Sequence, residues 1–340
     1  MASHEAPAGI ASKAVAPPIT ERILARLGRP RWLWVALWSL IPVASPLVFS
    51  TAVGLSERPI ETGAFINLVA TQVAIAYACL VFLIGGGVLT RQIAVLRGEI
   101  PRIAPDVRPD DLFGTAGSIR GPLILTGISA AVVSGGGWAR YGPIPPLASL
   151  PLLVVYLLPI LAFIWLYLTI LIEIDRLGRR PLALDSFPQD PTLGLERLGW
   201  VASVGLGLVL VAAAPVMLAA SDEPVTLAIS LMIVASAVGI FLLSMWRLHR
   251  QMAIAKARFV RIAQDLYAGA YEPLRVDPTT TTLEAQAIAL GAAQALEERA
   301  RSLLTWPIEQ STLRFMAVVV TGVVTSLVVR GMFAALGFGG

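Results

Sequence analysis

Seven apolar segments, each of about 20 residues, constrain the fold of this chain more than any other feature. A helix needs roughly 20 apolar residues to cross about 30 Å of hydrocarbon. The composition agrees, because 56% of the 340 residues are hydrophobic and 14% are charged, whereas a soluble domain carries about 25% charged residues. The sequence therefore predicts an all-α, polytopic integral membrane protein and excludes a soluble enzyme.

The seven predicted spans alternate with polar segments that contain most of the charged residues. The spans are residues 32–53, 64–90, 122–138, 147–174, 198–220, 225–246 and 315–332. The third is the weakest, because its unbroken apolar part is short and includes Thr126, Ser129 and Ser134. The fifth and sixth are separated only by residues 221–224, so a tight helical hairpin is expected there.

The positions of Arg and Lys predict the orientation, since short cytoplasmic loops collect these residues. With the N-terminus inside, 23 of the 26 cations lie on the cytoplasmic side, and only Arg58, Arg140 and Arg330 lie outside. A re-entrant third span would reverse the side of every later loop. We therefore predict seven transmembrane helices with the N-terminus inside and the C-terminus outside. The basic charge then reflects orientation, so the expected partner is the lipid bilayer and no nucleic acid.

The chain divides into four predicted regions. Residues 1–30 are rich in Ala, Pro and Ser and are expected to be a disordered cytoplasmic N-terminus. Residues 31–246 contain transmembrane helices 1 to 6, and residues 247–312 form a cytoplasmic helical hairpin between helices 6 and 7. Residues 313–340 contain transmembrane helix 7 and a short outer tail.

The predicted hairpin consists of a continuation of the sixth helix and a second, Ala-rich helix. Thr281 and Glu284 have the spacing of a capping box, which places the start of the second helix there. An apolar stripe at helical spacing is formed on the first helix by Met252, Ala255, Phe259, Ile262 and Leu266. Two roles are open: a packing stalk for the bundle, or an element for oligomerisation or gating.

The spans contain no ionisable residue at mid-depth, which limits the chemistry available to the chain. The nearest are Glu173 and Asp175, which are expected to pair with Arg176 or Arg179 at the water boundary. The sequence also lacks a phosphate-binding loop, a Gly-x-Ser-x-Gly motif and paired zinc-ligand cysteines. We therefore expect no enzyme activity and predict no catalytic, cofactor-binding or metal site.

Uncharged polar side chains supply the candidate site residues. In span 7, Thr321 and Thr325 lie four residues apart and share one helix face, and Arg314 and Arg330 flank this face. Such a face can serve close helix packing, or it can line a pore with a hydrophobic constriction. The candidates for polar contacts between helices, all in the second span, are Asn67, Thr71 and Gln72.

Three further features occur together in this chain. The fourth span is the longest, a helical segment at residues 247–312 precedes the last span, and about ten residues follow Val329. Thr325 in the last span and Phe333 just after it frame a mainly apolar stretch that Arg330 interrupts.

These features resemble the insect-chemoreceptor-like seven-helix ion channels. Members of that superfamily have their N-terminus inside, a long fourth helix and cytoplasmic helical extensions. Their last helix carries Thr-Tyr, five apolar residues and Gln-Phe, where this chain has Ser326 in place of the Tyr and Met332 in place of the Gln. The resemblance covers the topology of the whole chain. It implies a homotetramer in which the seventh helices line a central pore and the cytoplasmic helix ends join the subunits.

The sequence thus predicts a homo-oligomeric ion channel with helix 7 lining the pore. Thr321 and Thr325 would face the ions, and Arg314 and Arg330 would lie at the mouths. Two alternatives stay open: a non-catalytic membrane scaffold or sensor that acts through the cytoplasmic hairpin, and a transporter that binds an uncharged solute near residues 67–72. The preference for Arg over Lys suggests a bacterial source, so the expected location is the bacterial inner (plasma) membrane.

Overall fold

Helices form every regular element in the part of the chain that the computed structural model describes. The described residues are 16–52, 62–108, 111–141, 144–184, 190–219, 224–276 and 280–308, together with 314, 317–318, 320–325, 328–329 and 332. The prediction of an all-α fold is confirmed.

Within the described ranges, eight α-helices and a 3₁₀ turn precede the C-terminal segment. The helices are α1 (Ile19–Leu27), α2 (Arg31–Ala52), α3 (Thr62–Ile103), α4 (Arg120–Tyr141), α5 (Ile144–Gly178), α6 (Glu196–Ala219), α7 (Pro224–Val276) and α8 (Thr280–Ser302). The 3₁₀ turn, Gly114–Gly117, lies between α3 and α4. The described residues between 314 and 332 are helical as well, and we call this segment the last helix.

Four of the described helices are long and apolar enough to cross a membrane. Their candidate spans are Val69–Ile103 in α3, Leu150–Gly178 in α5, Glu196–Ala219 in α6 and Leu231–Glu272 in α7. They coincide with predicted spans 2, 4, 5 and 6. Predicted spans 1 and 3 coincide with α2 and α4, each of 22 residues, and span 7 coincides with the last helix. Whether these three helices cross the membrane, and in which orientation, stays a prediction.

One large apolar core joins α3, α5, α6 and α7. The rings of Phe82 on α3 and Phe163 on α5 stack with their centroids 4.7 Å apart. Gly85 lets α3 approach α6 closely, because a Cβ at this position would lie 2.7 Å from Leu208 Cδ1. The hydroxyl of Tyr167 donates a hydrogen bond of 3.1 Å to the carbonyl of Ala202, which joins α5 to α6. The core therefore holds α3 together with the three consecutive helices α5, α6 and α7.

The prediction of a disordered N-terminus is wrong for residues 19–27, which form α1; residues 1–15 lie outside the described residues. Leu24 is 2% exposed and belongs to a small apolar cluster with Trp38. The Arg31 guanidinium pairs with the Glu21 carboxylate at 2.5 Å. The Ala- and Pro-rich composition of the segment hides the short amphipathic pattern that places one face of α1 against the bundle.

The predicted cytoplasmic hairpin is formed by α7 and α8. Helix α7 is 53 residues long and continues without interruption to Val276. Helix α8 begins at Thr280, one residue before the predicted capping box. The continuation of the sixth helix and the position of the second helix therefore agree with the sequence prediction, and the side of the membrane on which the hairpin lies stays a prediction.

The predicted apolar stripe of the hairpin is buried at its beginning and exposed at its end. Met252 and Ala255 are buried, whereas Ile262 is 43% and Leu266 is 51% exposed. Small side chains are buried further along: Ala263 and Ala270 on α7, and Ala293 and Ala300 on α8. The role of the exposed part of the stripe, in packing or in oligomerisation, stays open.

The topology can be tested by labelling single cysteines in the Cys79→Ser background. With α4 crossing the membrane, Ser56→Cys and Ser221→Cys should react with a membrane-impermeant maleimide in intact cells. Ser186→Cys should react only after permeabilisation, because its loop is predicted to be cytoplasmic. If Ser186→Cys reacts in intact cells while Ser221→Cys does not, α4 is re-entrant and the predicted orientation of all later helices is wrong.

Candidate functional site

The last helix packs against the bundle through valines and leaves its threonines exposed. Val320, Val323 and Val324 contact the core, whereas Thr321 and Thr325 are exposed, as is Arg314 at the start of the segment. The same helix also exposes Val318, Val328, Val329 and Met332. Arg330 lies outside the described residues. The predicted hydroxyl face thus points away from the helices of its own chain.

The second group of predicted polar residues lies on α3. The Ser45 hydroxyl on α2 donates a 2.7 Å hydrogen bond to the Pro42 carbonyl and lies 3.4 Å from Gln72 Oε1. Thr71 is half-buried, and nothing is described of the side chain of Asn67. The structure brings Gln72 to the contact between α2 and α3, and Thr321 and Thr325 to the last helix. These residues therefore belong to two separate places in the fold.

The predicted pairing of the acidic residues at the end of α5 is confirmed. Arg176 donates to Glu173 Oε1 at 2.8 Å. Arg179 donates to Asp175 Oδ2 at 3.0 and 2.6 Å, and Arg247 on α7 donates to Asp175 Oδ1 at 2.8 Å. Glu173 itself is 3% exposed within the bundle, and its position at the water boundary stays a prediction. Its carboxylate is covered because α5 is packed on several sides near its end.

Helix α7 also caps the end of α5. The Gln251 side-chain amide donates to the carbonyls of Gly178 at 2.6 Å and Arg180 at 2.8 Å. These carbonyls lie past the last intrahelical acceptors of α5, where helices leave backbone oxygens without partners. The cap therefore fixes the end of α5 to the middle of α7.

Residues 303–308, which we call the linker, lie between α8 and the last helix and form hydrogen bonds with side chains of α7. The His249 ring lies 2.7 Å from the Thr305 carbonyl through Nδ1 and stacks on Trp306 with centroids 4.5 Å apart. The Lys256 ammonium donates to the carbonyls of Arg301 at 2.8 Å and Leu303 at 2.6 Å. His249 and Lys256, each one of two residues of its type in the sequence, thus serve a structural purpose that their rarity did not reveal.

The linker also contacts α6 and the loop at residues 190–195. The Leu304 N–H donates a 2.7 Å hydrogen bond to the Pro191 carbonyl. On α6, the Pro307 carbonyl lies against Gly199, where an added Cβ would overlap the carbonyl oxygen. The connection to the last helix is therefore attached to two helices and one loop of the bundle.

A cavity of about 490 Å³ lies where the end of α3, the start of α6 and the same loop meet. Its lining includes the carboxylates of Glu99, Asp190 and Glu196 and the guanidiniums of Arg102 and Arg197. Ile103 and Trp200 contribute apolar surface. The cavity thus presents charges of both signs beside apolar side chains.

Three of the five charged groups in the cavity already have partners. Arg197 on α6 pairs with Glu99 on α3 at 2.9 Å. The Asp190 carboxylate accepts from the N–H of Thr192 at 2.8 Å, from its hydroxyl at 2.7 Å and from the N–H of Gly194 at 2.9 Å. Among the described residues, Arg102 and Glu196 have no partner. One cation and one anion therefore remain available to a ligand.

Sequence reasoning missed this cavity. Glu99 and Arg197 are far apart in sequence. The available signal was that the second and fifth predicted spans both have a charged cluster at the end that is predicted to be cytoplasmic. A charged cluster in the sequence does not indicate which helices are neighbours. The cavity becomes visible only in the structure, where α3 packs against α6.

Comparisons with protein-family models, with curated proteins and with solved structures found no match for this chain. The functional argument therefore depends on the chain's own geometry. The resemblance to insect-chemoreceptor-like channels stays a prediction from topology.

The attachment of the linker can be tested with two glycines of the same helix. Gly199→Ala forces a methyl group onto the Pro307 carbonyl and should lower the free energy of unfolding by about 1–3 kcal/mol. Gly207→Ala is the matched control, because no atom lies within 4 Å of the added Cβ, and it should be neutral or slightly stabilising. The measurement is thermal unfolding in detergent. Equal melting temperatures for the two variants would contradict the described contact.

Proposed function

We propose that this protein is a homo-oligomeric ion channel of the bacterial inner membrane, with the last helix lining the pore. Four helices with apolar spans are compatible with a membrane protein. The observation that supports the channel is the exposure of Thr321 and Thr325 on the side of the last helix opposite the packed valines. A helix that its own chain covered on all sides could not line a passage between subunits.

The physical argument starts from the surroundings of that face. Hydroxyl groups gain little from facing hydrocarbon, where they find no water. Rotational symmetry would bring the same face of every copy to one central axis. There the hydroxyls can contact water and ions, and the exposed valines of the same helix can form an apolar constriction. The exposed face then has a function that a single chain cannot provide.

The proposed assembly is a tetramer, following the topological resemblance. Arg314 is exposed at the start of the last helix, so four copies would place a ring of guanidiniums at the predicted cytoplasmic mouth. Arg330 would form a second ring at the predicted outer mouth. Rings of fixed charge attract ions of opposite sign and repel ions of the same sign.

The pore can be tested by recording from the purified protein in planar bilayers. Thr325→Val replaces a hydroxyl with a methyl group of similar size and should lower the unitary conductance about twofold or more. Arg314→Gln should shift the reversal potential in a salt gradient towards cation permeation, because one positive charge per subunit is lost at the mouth.

Thr126→Val is the matched control, since this threonine of α4 is buried and its hydroxyl has no hydrogen-bond partner in the described part of the chain. Its conductance should equal that of the unchanged protein. If Thr325→Val and Arg314→Gln also leave conductance and selectivity unchanged, the last helix is not the pore wall. A monomeric particle without conductance would exclude the channel altogether.

A second candidate is a scaffold or sensor that acts through the hairpin. The specific observation in its favour is that the hairpin exposes large apolar side chains, including Ile262, Leu266 and Ile288. On this alternative the protein would be electrically silent, and Leu266→Ser would release a co-purified partner. On the channel proposal the conducting particle contains no other protein, with or without the Leu266→Ser substitution.

A further inference from the structure

The cavity between α3 and α6 lies at the level where two apolar spans end. On α3 the lining runs from Gln92, two residues past the predicted apolar span 64–90, to Ile103, and on α6 it begins at Glu196, two residues before the predicted apolar span 198–220. Trp200, one turn into α6, is 39% exposed. Exposed tryptophans are enriched where hydrocarbon meets the lipid head groups. The position of the cavity therefore matches the head-group layer of the membrane.

The charges of the cavity define what it can recognise. Glu99 and Arg197 neutralise each other at 2.9 Å, and Asp190 is occupied by bonds within its own loop. In the described part of the chain, Arg102 and Glu196 keep their hydrogen-bonding capacity and line one shared space. A ligand that bridges them must carry an anionic group for the guanidinium and a cationic group for the carboxylate.

We propose that this cavity binds the head group of a phospholipid that carries both a phosphate and a primary ammonium. Arg102 donates to the phosphate, for which its planar fork of N–H groups is suited. Glu196 accepts hydrogen bonds from the ammonium. Gln92 and the indole N–H of Trp200 offer further donors, and the acyl chains continue along the apolar surface of α6.

A soluble zwitterion shares this chemistry, but the location favours the lipid. A water-soluble ligand gains nothing from a site at the ends of two apolar spans beside an exposed tryptophan. A lipid gains the burial of its chains against the helices in addition to the two charge contacts. The proposal requires only that α3 and α6 lie in the membrane, so it stands or fails independently of the channel.

The test measures equilibrium binding to the full chain in detergent with three short-chain probes. These are dihexanoyl phosphatidylethanolamine, dihexanoyl phosphatidylglycerol, which lacks the ammonium, and the free head group glycerophosphoethanolamine. The ethanolamine lipid should bind saturably, one molecule per chain, and more tightly than the other two. Arg102→Gln should weaken binding of both lipids about 10-fold or more. Glu196→Gln should weaken binding of the ethanolamine lipid by a similar factor and leave the affinity for the glycerol lipid unchanged.

The control variants are Arg261→Gln and Glu298→Gln, which remove exposed charges of the hairpin outside the cavity. Both should bind the ethanolamine lipid like the unchanged protein. Equal affinity in all four variants would overturn the proposed site. Equal affinity of the free head group and the lipid would overturn the lipid assignment. Because Arg102 and Glu196 are exposed and have no partner among the described residues, their variants should keep the melting temperature of the unchanged protein.

Discussion

Hydrocarbon offers no partner to a backbone N–H or C=O group, and the rest of this structure depends on that constraint. Helices satisfy these groups internally, so the apolar segments can only cross a bilayer as helices. Charged side chains are too costly at mid-depth and collect where the spans end. The ion pairs between α3 and α6 and between α5 and α7 are formed at such ends. The proposed position of the polar cavity at the boundary of the membrane follows from the same constraint.

The sequence predicted the elements whose pattern is local. The apolar length of α5 and α6, the continuation of α7 and the start of α8 all follow from neighbouring residues. The pairing of Asp175 with Arg179 was also local, because the two lie four residues apart on one helix. Its second partner, Arg247, could not be predicted, because it depends on which face of α7 meets α5.

The differences between prediction and structure share one physical cause, which is that packing between helices decides which face is buried. Ile262 and Leu266 fit an apolar stripe, but Ala263 and Ala270 are the buried side chains in this part of α7. Leu24 lies in a segment of disordered composition, and the neighbouring Trp38 provides the surface that buries it. The same difference separates the two candidate sites. Helical spacing alone predicts that Thr321 and Thr325 share one face, whereas the cavity forms only because α3 packs beside α6.

The bonds that join Gln251 to the end of α5 have a mechanical consequence. They hold the middle of α7 at a fixed point, and His249 and Lys256 fix the linker within two turns of that point. Helix α7 continues from there to Val276, roughly 38 Å at the rise of an α-helix. Because α7 is held at this point, a tilt of about 5° about it would move the far end of the helix by about 3 Å.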